Sequence, residues 1–146
     1  MTFSHAAADL GMKMMNHIHR SIRVVSGGRL GNRVFGMTTV ELRTVGRTSG
    51  QSRRVLLTAP VHDDGRTVLV ASKGGDDRHP DWYLNLVADP DVELTIDGRS
   101  LPMRARTASG PERAELWPTI VGRYGGYAGY QKRTDREIPV VICEPL

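Results

Sequence analysis

The 146-residue sequence has one cysteine, few aromatic residues and no long apolar run. A lone Cys143 excludes an internal disulfide and a cysteine-based metal site, and its apolar neighbours predict a small buried hydrophobe. No stretch approaches the ~18–20 continuous apolar residues of a membrane span. The first five residues lack the pattern of a secretory signal. We therefore expect a cytoplasmic protein.

Several catalytic and metal-binding motifs are also absent from the sequence. It has no Gly-x-Ser-x-Gly elbow, no paired-histidine metal helix and no Rossmann Gly-x-Gly-x-x-Gly. His17 and His19 fall on different sides of a predicted helix, so they do not make a ligand pair. We expect no metal site.

The charge of the chain is unevenly distributed. The net charge is +4, but residues 1–60 carry nine Lys/Arg and two Asp/Glu, a balance of +7. The remaining residues have a balance of −3. A positive N-terminal field would attract an anionic ligand, an anionic lipid surface or nucleic acid, and the charge alone leaves all three open.

Hydrophobic spacing predicts an amphipathic helix over residues 6–25, with Leu10, Met14 and Ile18 on one stripe. Packing against a sheet and contact with a membrane are both compatible with this stripe. We assign residues 1–36 to this helix and a connector, and residues 37–146 to the main part of one domain.

From residue 37 onward the pattern changes to short strands linked by hairpins and a few helices. Asp97-Gly98 is a strong hairpin signal, and Ser109 with Glu112 predicts a capped helix that Pro118 would kink or end. Hairpin links favour a mostly antiparallel sheet of about six strands in an α+β domain, which can close into a small barrel. The predicted strands cover residues 38–45, 53–61, 67–71, 92–96, 101–107 and 138–143.

Three segments have the composition of a binding site. In Gly46–Arg54, glycines free backbone amides, while hydroxyls and arginines offer donors that match phosphate or carboxylate. Ser72 and Lys73 follow a buried strand and precede a helix that carries Trp82, which suits either a core or a flat ring. The third segment, Tyr124–Arg136, places three tyrosines among glycines, as expected of a flexible loop or a mobile aromatic lid.

In this order, the segments resemble the deazaflavin-dependent nitroreductase family of actinobacteria, within the flavin/deazaflavin oxidoreductase superfamily. The marks are Gly46–Arg53, Ala71–Gly75, His79–Leu86 and Tyr130–Val141, together with the Ala-Asp-Pro at 88–90. The resemblance implies an FMN-binding-like split β-barrel with flanking helices, carrying coenzyme F420, with FMN as a less favoured cofactor. Thr48 stands where many members have lysine, and Val55–Thr58 replaces the Pro and Tyr of nitroimidazole-reducing members.

The resemblance also implies roles for individual residues. It assigns catalysis to Ser72, Lys73 and Tyr127, and a substrate wall to Tyr124, Tyr127 and Tyr130. Its implied cofactor-binding residues are Arg47, Thr48, Ser49, Arg53, Arg54, Ser72, Lys73, Trp82 and Asn85.

The implied reaction passes a hydride from reduced F420 to a quinone-like, unsaturated or nitro acceptor. A non-catalytic F420 carrier and an FMN-dependent split-barrel oxidase are the alternatives. The implied partners are a small-molecule substrate and no nucleic acid. The N-terminal helix suggests peripheral membrane contact, and the chain is expected to be a monomer or dimer.

Overall fold

The computed structural model describes residues 33–34, 36–63 and 65–146. The predicted helix over residues 6–25 lies outside them. The described part contains eight strands, three α-helices and a 3₁₀ turn at Lys73–Gly75. The strands are β1 (Arg33–Val34), β2 (Met37–Val45), β3 (Ser52–Ala59), β4 (Val61–Asp63), β5 (Arg66–Val70), β6 (Asp91–Ile96), β7 (Arg99–Thr107) and β8 (Val140–Pro145). The helices are α1 (Asp81–Ala88), α2 (Gly110–Arg123) and α3 (Gly126–Lys132).

The strands form one curled sheet in which every pair of neighbours is antiparallel. The order is β1-β2-β6-β7-β8-β5-β4, and β3 pairs with the other side of β2. Because β3 also lies against β5, the sheet curls toward closure as a barrel. This confirms the expected antiparallel split barrel. The strand number exceeds the expected one because Pro60 divides one predicted strand into β3 and β4, and the short β1 adds another.

One face of the sheet encloses an apolar interior that α1 covers. Val40 and Leu42 of β2 and Leu69 of β5 are fully buried there. The side chains of Trp82 and Leu86 on α1 pack onto the same cluster. Alternating inward-facing residues on neighbouring strands thus build the barrel core. The same helix, α1, packs on this core and carries residues that line the candidate site.

A second apolar cluster lies on the opposite face of the sheet, under α2 and α3. Val68, Ile138 and Val140 are fully buried against Ile120 of α2. Tyr127 of α3 belongs to this cluster and is 5% exposed. The sheet is therefore covered on both faces along β5 and β8.

Local sequence signals explain the boundaries of several elements. At α2 the Ser109 hydroxyl accepts a hydrogen bond from the Glu112 amide, and the Glu112 carboxylate accepts one from the Ser109 amide, as the capping box predicts. Asp97 and Gly98 both have positive φ, as a two-residue hairpin requires. Pro118 does not end the helix, because α2 continues through that exposed proline while Leu116 and Ile120 anchor the helix on the sheet.

Within the described ranges, none of the helices is both long enough and apolar enough to cross a membrane.

Candidate cofactor groove

A groove of about 660 Å³ lies between the β2–β3 turn, the Lys73–Gly75 turn and α1. Eight of the nine residues expected to bind the cofactor line it. They are Arg47, Thr48, Ser49, Arg53, Arg54, Lys73, Trp82 and Asn85. The ninth, Ser72, is buried beside Lys73 and does not line the groove.

Glycines fold the β2–β3 turn tightly against itself. The Gly46 amide donates to the Gln51 carbonyl at 2.7 Å, and the Gly50 amide donates to the Gly46 carbonyl at 2.8 Å. Gly50 has a φ of +70°, which glycine adopts without strain. A Cβ on Gly46 would lie 2.6 Å from the Ser49 hydroxyl oxygen. Position 50 therefore favours glycine because of its φ, and a side chain at Gly46 would displace the Ser49 hydroxyl from its place in the turn.

The turn is attached to α1 through Asn85. This side chain is 4% exposed, and its Oδ1 accepts from the Arg47 amide at 3.1 Å and from Arg47 Nη1 at 2.8 Å. Its Nδ2 donates to the Thr44 hydroxyl at 3.3 Å. Arg47 also forms an ion pair with the exposed Asp81 carboxylate at 3.3 Å. Asn85 thus anchors the turn, a contact that spacing along the chain does not indicate.

The two consecutive arginines of β3 have different partners. Arg53 Nη2 donates to the Ser49 hydroxyl at 3.4 Å. Arg54 Nη1 forms an ion pair with Glu41 at 2.9 Å. Successive strand residues point to opposite sides of the sheet, so only Arg53 shares a side with the inward-facing residues of β3. The Glu41 carboxylate already compensates the charge of Arg54.

The Lys73–Gly75 turn has an uncommon backbone conformation. Lys73, Gly74 and Gly75 have φ values of +46°, +64° and +88°. For a residue with a side chain the left-handed region costs roughly 1–2 kcal/mol, so Lys73 needs support from its surroundings. A Cβ on Gly75 would lie 2.8 Å from the Tyr130 carbonyl oxygen. Close packing against the end of α3 therefore holds this turn.

Arg136 lies within the Tyr130–Val141 motif, and neither its spacing nor the family resemblance predicts a role for it. Its guanidinium reaches back across the chain to the carbonyls that flank the Lys73 turn. It also contacts His79 Nδ1 at 3.1 Å. Burial, together with the Arg136 charge, lowers the pKa of His79 below its ordinary value. The sequence contains one signal for this role: Arg136 is an arginine inside a family motif, and no ligand contact or helix cap accounts for it.

The three tyrosines expected to wall a substrate pocket lie outside this groove. Their rings pack together, with centroids 5.4 Å apart for Tyr124 and Tyr127 and 6.2 Å apart for Tyr127 and Tyr130. The Tyr127 hydroxyl lies 3.2 Å from the Thr58 hydroxyl and 3.7 Å from Met37 Sδ. Burial raises the pKa of Tyr127, and burial with the Tyr124 hydrogen bond raises that of Tyr130 to about 12.

The expected loop conformation of the tyrosine segment is wrong. Residues 126–132 form α3, and Tyr127 is packed within the second apolar cluster. The expectation relied on the glycines between the tyrosines, but the rings of Tyr127 and Tyr130 pack against each other and against Tyr124, which stabilises a short helix. The substrate role of the tyrosines stays a prediction.

The chemistry of the groove suits an anionic cofactor with a flat ring. Four cationic side chains and one carboxylate line it, and the Thr48 and Ser49 hydroxyls add neutral donors. Trp82 supplies an aromatic surface beside them. Guanidinium and hydroxyl groups are the donors that phosphate and carboxylate oxygens accept from most readily. The residues present therefore fit F420, whose tail carries both of these groups.

Comparisons with known proteins agree with this chemistry. A family model described as F420H2-dependent quinone reductase matches residues 14–145. An F420H2-dependent quinone reductase of Mycobacterium tuberculosis is 36% identical over 137 residues, which cover 91% of each chain.

Two solved structures also match closely. One, described as an F420-H2 dependent reductase (FDR-A), is 44% identical with a TM-score of 0.66, and the match covers 73% of this chain and 93% of that one. Another, described as a domain-swapped dimer, is 40% identical with a TM-score of 0.68, covering 86% of this chain and 94% of that one.

These matches confirm the recognition made from the motifs, the split-barrel fold, the oxidoreductase class and F420 as the cofactor. The family match spans nearly the whole chain, including all three segments that carry the motifs. The chain belongs to the F420H2-dependent quinone reductase family.

Proposed function

We propose that this groove binds F420H2 and that the chain catalyses the two-electron reduction of a quinone. The observation that carries the assignment to the groove is the convergence of Arg47, Arg53 and Lys73 beside Trp82, within a family of F420H2-dependent quinone reductases. When bound, the reduced deazaflavin ring supplies a hydride. Reduction of a quinone to a quinol takes that hydride and a proton, so the protein has to position both reactants and exclude water.

The basic turn binds the anionic tail in this proposal. Arg53 and the hydroxyls of Thr48 and Ser49 donate to phosphate oxygens, and Arg54, which is already paired with Glu41, adds a weaker attraction for the carboxylates of the tail. Arg47 is already held by Asn85, so its guanidinium is positioned before the ligand arrives. Such preorganisation reduces the entropy lost on binding.

The ring end of the groove lies at Lys73 and Trp82 in this proposal. Lys73 donates to the polar edge of the ring, and the buried Ser72 supports the same turn. Trp82 limits the ring on one side and keeps water away. Lys73 and Tyr127 are the alternative proton sources, but burial raises the pKa of Tyr127, so its phenol gives up a proton less readily than an exposed one.

Quinones are the acceptors that the family description favours. Nitro compounds and other unsaturated acceptors stay predictions. A non-catalytic F420 carrier would bind F420 without reducing menadione, a quinone that has no isoprenoid tail. An FMN-dependent oxidase would bind FMN in preference to F420. Reduction of menadione with F420H2 excludes the carrier. Absence of that reduction when reduced FMN replaces F420H2 excludes the FMN-dependent oxidase.

The central test of the groove is Arg53→Glu, with Arg99→Glu as the control. Both substitutions change the net charge equally, but Arg99 lies at the β6–β7 hairpin, outside the groove. We expect Arg53→Glu to raise the Kd for F420 about 100-fold, because a repulsion replaces a charge-assisted hydrogen bond. Deazaflavin fluorescence measures this Kd. Equal affinities for the two variants would place the tail elsewhere.

The macromolecular partners to consider are a second copy of the chain, a membrane surface and nucleic acid. A relative with 40% identity is described as a domain-swapped dimer, which is compatible with the expectation of a monomer or dimer. The expected membrane contact concerns the predicted helix over residues 6–25, which lies outside the described ranges, and nothing in those ranges supports it. Cytoplasmic location and the absence of nucleic-acid binding stay predictions.

A further inference from the structure

We infer that Arg136 is a positioning residue that holds the Lys73 turn in its binding conformation and couples it to α3. This inference rests on the proposed function, because it concerns how the ring end of the same groove is built. Arg136 does not line the groove, and we assign it no contact with the cofactor.

The first observation is the set of acceptors around the Arg136 guanidinium. Nε donates to the Asp76 carbonyl at 2.8 Å, Nη1 to the Ala71 carbonyl at 3.2 Å and Nη2 to the Ser72 carbonyl at 2.9 Å. These carbonyls lie on both sides of the Lys73 turn. One planar fork therefore fixes the entry and the exit of the turn at once.

The second observation is the strain of the enclosed residues. Lys73 has a positive φ, and such a conformation persists where the surroundings over-determine it. Within the turn, the Gly75 amide donates to the Ser72 carbonyl at 2.9 Å and the Asp76 amide donates to the Lys73 carbonyl at 3.1 Å. The Ser72 carbonyl thus accepts from both the turn and Arg136, so loss of the guanidinium weakens the frame that holds Lys73.

The third observation links the same turn to α3. Arg133 Nη1 donates to the Gly74 carbonyl at 3.3 Å, and Gly75 packs against the Tyr130 carbonyl and the Arg133 side chain. Arg136 follows three residues later on the same segment. Three sets of contacts, made by Arg133, Gly75 and Arg136, therefore hold the turn against the end of α3. Through these contacts the tyrosine cluster is connected to the groove.

Arg113 offers a matched control for Arg136. It is also an arginine on the α2–α3 side that donates to a backbone carbonyl, that of Ile138 at 3.0 Å. Its second partner is the Gln131 side chain at 2.9 Å, and its guanidinium lies 4.3 Å from the Trp117 ring centroid. None of these contacts involves the Lys73 turn. Because Gln131 also donates to the Arg136 carbonyl at 2.8 Å, substituting Arg113 reports on loss of packing around the Arg136 segment while the Arg136 guanidinium itself is kept.

The test compares Arg136→Lys with Arg113→Lys and uses Lys73→Ala as a direct probe of the groove. Lysine keeps the charge but cannot reach three carbonyls as a planar fork. We expect Arg136→Lys to raise the Kd for F420 about tenfold and Arg113→Lys to leave it within about twofold, at a comparable loss of Tm. In the ligand-free protein, amide hydrogen exchange at Gly74–Asp76 should accelerate only in Arg136→Lys.

The outcomes separate this inference from the proposed function. If Lys73→Ala weakens F420 binding while Arg136→Lys changes neither the Kd nor the exchange of the turn, the positioning role is wrong and the groove stands. If Arg136→Lys and Arg113→Lys raise the Kd equally, Arg136 contributes only general stability and the inference is also wrong. If Lys73→Ala and Arg53→Glu both bind F420 normally, the groove assignment and the inference fall together.

Discussion

The Gly46–Arg54 turn and the Tyr124–Tyr130 segment both have the composition of a binding site, but the structure gives them opposite environments. The turn lines a groove, and its arginines remain at the surface. The tyrosine segment forms α3 and packs Tyr127 into an apolar cluster. Residue types that suit a ligand therefore do not distinguish a site from a core; exposure and the partners of each polar atom do.

The two regions nevertheless meet at the Lys73 turn. Lys73 lines the groove, while Gly75, two residues later, packs against the Tyr130 carbonyl oxygen at the end of α3. A substitution in either region is therefore expected to affect the other through the Lys73 turn. Substitutions in both regions test how far the contrast between groove and core holds, and Tyr127 should show the largest effect.

The largest effect is expected from Tyr127→Ala. Removing a buried aromatic side chain should lower the free energy of unfolding by about 3–5 kcal/mol, measured by urea denaturation. Tyr127→Phe keeps the ring and loses the hydrogen bond to Thr58, so it should cost only about 1 kcal/mol. We expect Tyr127→Phe to keep the wild-type kcat for menadione.

Tyr83→Phe is the control for loss of a tyrosine hydroxyl. The Tyr83 hydroxyl bonds to that of Thr107 at 2.8 Å at an exposed position, away from the tyrosine cluster. If Tyr127→Phe lowers kcat about tenfold or more while Tyr83→Phe does not, Tyr127 takes part in the reaction. Groove and core would then not be distinct in function, because the core-packed tyrosine would also be catalytic.

Much of the fold could be predicted from the sequence because its signals are local. The Asp97-Gly98 hairpin and the Ser109–Glu112 capping box each depend on residues within four positions of one another. The groove could be predicted because glycines and arginines are adjacent in the Gly46–Arg54 turn. Resemblance then brought the Lys73 turn and α1 to the same site, which spacing alone could not do.

The contacts that escaped prediction join residues distant in the sequence. Asn85 holds Arg47 across 38 positions, and Arg136 reaches the Ser72 carbonyl across 64. The conformation of α3 also escaped, since its packing against β3 and the outer face of the sheet overrides the weak helix propensity of Gly126 and Gly129. Pairing of Arg54 with Glu41 depends on the register of β2 and β3, which composition does not reveal.

A smaller effect is expected from Gly75→Ala, which tests the junction of the two regions. The added Cβ meets the Tyr130 carbonyl oxygen at 2.8 Å and requires a φ of +88°. Overpacking and backbone strain together should lower the free energy of unfolding by about 2–3 kcal/mol and weaken F420 binding.

Gly74→Ala is the matched control for the junction. Gly74 has a φ of +64°, but no atom lies within 4 Å of a Cβ built there. This variant should therefore lose only the strain component, about 1 kcal/mol. Equal losses for the two variants in urea denaturation would show that contact with α3 contributes nothing to the turn.

The smallest effect concerns pH and His79. Burial and the nearby Arg136 charge lower the pKa of His79 in the folded protein, whereas the unfolded chain has the ordinary value of 6.5. The folded state therefore binds the proton less readily than the unfolded state. Stability from the neutral imidazole is complete above pH 6.5 and decreases as the pH falls through 6.5 toward the lowered folded-state pKa.

Comparison with His79→Gln isolates this titration from those of the other histidines. Glutamine keeps an oxygen acceptor for Arg136 but does not titrate. The Tm of the wild type relative to His79→Gln should therefore be higher at pH 8 than at pH 5, and the dependence should be modest because His79 is only half-buried. A Tm difference that stays constant, or that grows on acidification, would show that His79 is not held neutral. The imidazole would then be a bystander, and the carbonyls of Ala71, Ser72 and Asp76 alone would fix the guanidinium of Arg136.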